Sequence, residues 1–155
     1  RVSHSSDYIM SDGKIKEVKI MKTIYKNFKI TSTFLGDKRW NADEKQQNYN
    51  NHIVTVINTE LHKKTAFEFW GSIMKPEIST EQELLFAFYC FLSDGEGSRY
   101  GFSEFCSEFG YDEDSRKAYR IFKACEKSLK KAERIGIDED MIYDIMNDLQ
   151  ENYGF

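Results

Sequence analysis

Nowhere does the chain approach the ~18 to 20 consecutive apolar residues of a membrane-spanning helix, and its first residues lack the basic-then-apolar pattern of a secretory signal. The sequence therefore reads as neither membrane-spanning nor exported. Proline occurs once, at Pro76, which is the reverse of disordered chains, usually proline-rich and poor in aromatics. The three cysteines, Cys90, Cys106 and Cys125, are an odd number without close spacing, which argues against a disulfide-stapled fold and fits a reducing cytosol. There is no G-x-S-x-G elbow, no glycine-rich phosphate loop, and no C-x2-C or H-x3-H pair. Each of those motifs places particular atoms at a fixed spacing, so their absence leaves no recognisable catalytic constellation and no start for a zinc site. The expectation is a protein that is not an enzyme and uses no cofactor and no metal.

What is present is aromatic weight and charge. Twelve Phe, nine Tyr and two Trp in 155 residues imply a real core, and the length suits one compact domain. The polar opening, residues 1–20, reads as a loose N-terminal tail or appended segment, with Met21 a candidate natural start and a single domain over 21–155. Within that domain FKITSTF, HIVTVIN and TAFEFW alternate as strands, the second apolar on both faces and so expected to be covered on both. Gly36-Asp37 reads as a turn and residues 41–51 as a long loop.

After Pro76 the period becomes helical. Ser79 or Thr80 with Glu83 forms a capping-box pattern ahead of Leu84, Leu85, Phe88 and Phe91, with Gly95 and Gly97 as the stop. A short helix follows, capped by Ser103 and ended by Gly110; a third starts at Asp112 or Asp114 and runs to Gly136; a fourth starts at Asp138. Ala118, Phe122, Cys125, Leu129 and Ala132 make a buried seam on the third helix. The fold class is α+β: a small antiparallel sheet of three or four strands followed by about four helices packed on one face.

Charge is segregated. Residues 1–75 carry 13 basic and 8 acidic groups, and residues 76–155 carry 9 and 18, for a net charge of −4. The second half is itself banded, with acidic stretches on both sides of a basic helix. Two surfaces follow. Glu77, Glu81, Glu83, Asp94 and Glu96, with Tyr100 as an aromatic contact, form a candidate surface that offers a phosphate-like field to a basic effector. Arg116, Arg120, Lys123, Lys127, Lys130 and Arg134 recur every three or four residues and form an alternative nucleic-acid-binding line beside the seam. Pairing of that line with Glu104, Glu108, Asp144 and Asp148 is the competing structural reading. His52 and His62, and the carboxylates Asp138, Asp140 and Asp144, resemble metal ligands in composition only. The cysteines read as small core residues, and Trp40 beside Lys38 and Arg39 as a loop anchor rather than a base-stacking platform.

The segments HIVTVIN, TAFEFWGSIMKPEISTEQELLFAFYCFLSD and FSEFCSEFGYDEDSRKAYRIFKACEKSLKKAER resemble a group of small phage and mobile-element proteins, over roughly Met21 to Tyr153. Some small acidic proteins of that kind are anti-CRISPR factors that bind nucleases and block DNA recognition or cleavage. The resemblance implies an inhibitory binding protein acting in the bacterial host cytoplasm. Its implied partner is a bacterial defence effector such as a CRISPR nuclease, with nucleic acid the alternative partner and no membrane involved.

Overall fold

A computed structural model describes residues 3–11, 14–37, 50–70 and 78–155 of the chain. Five strands, β1 (Ser3–Ser11), β2 (Lys14–Tyr25), β3 (Phe28–Asp37), β4 (Asn50–Asn58) and β5 (Lys63–Trp70), precede four helices. The helices are α1 (Glu81–Gly97), α2 (Phe102–Phe109), α3 (Arg116–Arg134) and α4 (Glu139–Tyr153). The arrangement is α+β, as the change of period at Pro76 implies, and the strands form one antiparallel meander in sequence order.

Three or four strands were expected, and the additional pairing lies in the residues read as a tail. Ser3–Ser11 runs against β2, with Ser11 opposite Lys14 and Asp-Gly, a dipeptide typical of tight hairpin turns, between them in sequence. Hydropathy misses β1 because Ser, His and Asp fill most of its positions. Gly36 and Asp37 lie at the end of β3 rather than in a turn, beyond a register shift that follows Phe34. Trp40 and Pro76 lie outside the described residues.

The chain groups into two compact units, Arg1–Ala87 and Phe88–Phe155. In the first, one face of the sheet is buried, through Met21, Thr23 and Tyr25 on β2, Phe28, Ile30 and Ser32 on β3, His52, Val54 and Val56 on β4, and Phe67 on β5. The period-2 alternation selects these residues. Ile53 and Ile57 on the opposite face are half-buried, so the cover expected for that face is only partial at these two residues. Cross-strand pairing with Thr33 and Lys29 is reason enough for β-branched residues there.

His52 is a core residue rather than a ligand. Its Nε2 accepts from the Ile78 backbone N–H at 3.2 Å, which leaves the proton on Nδ1, 2.8 Å from Ser32 Oγ. His62 sits in the β4–β5 turn with φ 56. Among the described residues no group of three or more His, Cys, Asp or Glu could hold a metal, and no helix is long and apolar enough to cross a membrane.

In the second unit Phe105, Cys106, Ala118 and Phe122 form a buried cluster, with Phe102, Ile121 and Cys125 against it. The caps show which local competitor wins. Ser115, not Asp112 or Asp114, caps α3, its Oγ accepting from Ala118 N–H at 3.1 Å, while Asp112 is held in its own turn by Asp114 N–H. Gly101 precedes α2 with no side-chain cap, so Ser103 falls inside the first turn. Asp138 caps α4 as the sequence implies, accepting from Met141 N–H at 2.9 Å. Gly95 does not stop α1; the helix continues to Gly97.

Candidate functional site

The end of α1 and the start of α2 are joined by a tight reversal that sequence periodicity does not describe. Ser98 N–H and Oγ both donate to Gly95 O, at 3.1 and 2.9 Å, and Gly101 N–H donates to Ser98 O. Gly101 takes φ 96, a conformation that residues with a Cβ rarely adopt, and α2 leaves from it. The reversal sets Ser93, Glu96 and Gly97 of α1 and Tyr100 of the turn beside Glu104, Phe105, Glu108 and Phe109 of α2. Together they line an open pocket of about 220 Å³.

The lining is acidic and aromatic. Glu104 and Glu108 are four residues apart on α2, as are Phe105 and Phe109, so one face of the helix supplies both pairs. Phe105 is anchored from below, its ring 5.5 Å from Phe122 and stacked at 5.7 Å on Tyr111. Phe109 lies 5.0 Å from Phe105 yet stays 54% exposed, and Tyr100 is 71% exposed. Neither Glu104 nor Glu108 has an ion-pair partner among the described residues. Glu96 Oε1 accepts from Arg99 at 3.2 Å, while its Oε2 is buried with no hydrogen-bond partner among the described residues. Arg99 also reaches Glu139 Oε2 at 3.1 Å and lies 5.2 Å from the centre of the Tyr100 ring. The Glu96 hydrogen bond, with both carboxylates nearby, raises the affinity of Arg99 for its proton.

The acidic residues singled out by sequence divide. Glu96 and Tyr100 line this pocket. Glu83 completes the capping box, accepting from Ser79 and Thr80 hydroxyls while Thr80 Oγ1 accepts from Glu83 N–H. Glu81 accepts a 2.6 Å hydrogen bond from Thr23 on β2. Asp94 lies on α1, where its charge acts on the Cys90 and Cys125 thiols, and Glu77 is outside the described residues. Sequence reading missed Glu104, Phe105, Glu108 and Phe109 as one site. The available signal was the repeated Glu/Phe spacing of four following a glycine turn.

On α3 the expected pairing with Glu104, Glu108, Asp144 or Asp148 is not found for Arg116, Arg120, Lys127, Lys130 or Arg134. All five are exposed, with no carboxylate in ion-pair range among the described residues. Lys123 bonds Glu126 at 3.0 Å and lies 5.4 Å from the Tyr119 ring centre, and the Glu126 bond, ahead of Tyr119, raises its proton affinity. Burial, with the Asp94 charge second, pushes the Cys90 and Cys125 thiols up to about 11, which opposes a nucleophilic role. Comparison with family models, curated proteins and solved structures finds no match.

Proposed function

We propose that this chain is a non-enzymatic inhibitor that binds a basic bacterial defence effector in the host cytoplasm and blocks its recognition or cleavage of nucleic acid. A CRISPR nuclease is the proposed target class. The observation that supports this reading is the pocket of Glu96, Glu104 and Glu108 flanked by exposed Tyr100 and Phe109. Its volume is below the ~300 to 1,000 Å³ of small-molecule sites and suits a side chain of a partner. Glu104 and Glu108, which have no ion-pair partner among the described residues, present acceptors to Arg or Lys groups that otherwise hold phosphate, and exposed aromatics supply the apolar contact on which interface affinity concentrates.

The test is cleavage of a matched DNA target by guide-loaded CRISPR nucleases, with and without the purified chain. Inhibition of at least one nuclease is expected, weakened ~10-fold or more in folded Tyr100→Ala and in E96Q/E104Q/E108Q. No inhibition across the panel, or full inhibition by both variants, would overturn the proposal.

A further inference from the structure

We infer that α3 is a second, independent interaction surface, one that lies along the phosphate backbone of duplex DNA. At ~100° per residue, Arg116, Arg120, Lys123, Lys127, Lys130 and Arg134 fall within an arc of about 80°. The buried seam of Ala118, Phe122 and Ala132 occupies the opposite side of the same helix, so the cations sit across from it rather than beside it. From Arg116 to Arg134 the line runs about 27 Å, with a cation every ~4.5 to 6 Å. That is a regular array of positive charge with, among the described residues, one ion pair, Lys123 to Glu126.

Folding does not require such an array. Six like charges on one stripe repel one another, and nearby carboxylates on α3 itself, Glu126 and Glu133, lie to one side of it. A polyanion with closely spaced charges removes that repulsion and releases its own counterions. The chemistry also separates duplex from single strand. Single-strand grooves interleave cations with free aromatic faces on which bases stack. The aromatic next to this line, Tyr119, is already engaged by the edge of Phe102, at 5.4 Å and 85°, and by Lys123. Backbone contact without base stacking is the mode left to α3, and it carries no sequence preference.

The experiment is fluorescence anisotropy of the full chain with a labelled DNA duplex and with one of its strands, at about 50 and about 200 mM salt. Wild type is expected to bind the duplex at low salt and to prefer it over the single strand, with an affinity that falls steeply as salt rises. R120Q/K127Q/K130Q keeps helix-forming residues at exposed positions and should retain the wild-type circular dichroism while losing ~10-fold or more in affinity. The slope of log affinity against log salt should become shallower by about 3, one for each cation removed. The charge-keeping R120K/K127R/K130R should bind as wild type does. If the neutral triple variant fails to fold, K127Q/K130Q replaces it, with a slope change of about 2. Absence of duplex binding at low salt, tighter binding of the single strand, or an unchanged salt slope in the folded neutral variant would overturn the inference.

Discussion

Asp94, Cys90 and Cys125 form a coupled group in which burial and charge act in the same direction. Asp94 is exposed at the surface, yet the protein around its carboxyl displaces enough water to raise it above the usual range, and its charge helps hold both thiols protonated. For an acid with a raised folded-state pKa, the favourable contribution to folding is complete below the unfolded pKa and is lost as pH rises through the folded one. Asp94→Asn should therefore raise the thermal midpoint at about pH 7 and have little effect at about pH 3, where both states are protonated. With thiols pushed up to about 11, the thiolate fraction at about pH 8 falls roughly 100-fold relative to an ordinary cysteine. Iodoacetamide labelling of Cys90 and Cys125, read by mass spectrometry, should be correspondingly slow in the folded chain and faster in Asp94→Asn. Labelling of native and urea-unfolded protein at one rate would contradict this account. Sequence alone placed these cysteines as core residues, which their half-buried positions partly match, but nothing in a linear pattern joins Asp94 to Cys125 on another helix.

Gly95 and Gly97 show how two identical residues two positions apart can have different jobs. A Cβ on Gly95 would meet Leu129 Cα at 3.1 Å and Leu129 N at 3.2 Å, so this glycine is where α1 approaches the backbone of α3. A Cβ on Gly97 would meet the Phe109 ring at an ordinary 3.6 Å. Gly95→Ala should cost ~1 to 3 kcal/mol, because backbone cannot swing aside as a side-chain end can. Gly97→Ala should be neutral or stabilise by up to ~1 kcal/mol through helix propensity. Urea denaturation of the two variants measures the contrast, and a Gly95→Ala protein as stable as wild type would refute the close approach. Much of the element order was legible: alternation marked β3, β4 and β5, and the period of 3.6 marked all four helices. The errors fall where a short-range rule met a competitor. Gly95 read as a stop because glycine disfavours helices, whereas the helix packing that requires it is a tertiary fact. Asp112 read as a cap because its type caps well, whereas its own turn occupies it and Ser115 takes the position. Counting acids along the chain grouped Glu81 and Glu83 with Glu96, though Thr23 and the capping box had already engaged the first two. The pocket needed the Gly101 reversal to exist at all.

Along the chain the acidic pocket residues of 96–108 and the basic stripe of 116–134 fall in separate segments, and that gives each surface a kinetic signature. The net charge of −4 becomes −7 when Arg120, Lys127 and Lys130 are changed to Gln, and −1 when Glu96, Glu104 and Glu108 are changed to Gln. Long-range steering follows such totals and their distribution, whereas the lifetime of a complex follows the groups in contact. An arginine-rich peptide serves as a basic probe whose association and dissociation rates can be followed by stopped flow. At low salt R120Q/K127Q/K130Q should capture it fastest, wild type next and E96Q/E104Q/E108Q slowest. The three association rates should converge near 1 M salt, where the screening length falls to about 3 Å. Dissociation should separate differently. The α3 variant should release the peptide at the wild-type rate, because those cations lie outside the pocket lining, while the glutamate variant should release it ~10-fold faster or more. If the glutamate variant slowed association but left dissociation unchanged, the carboxylates would be acting only as a distant field and Tyr100 and Phe109 would not mark a contact site. If both rates changed together as expected, attraction and contact would share one surface on this chain.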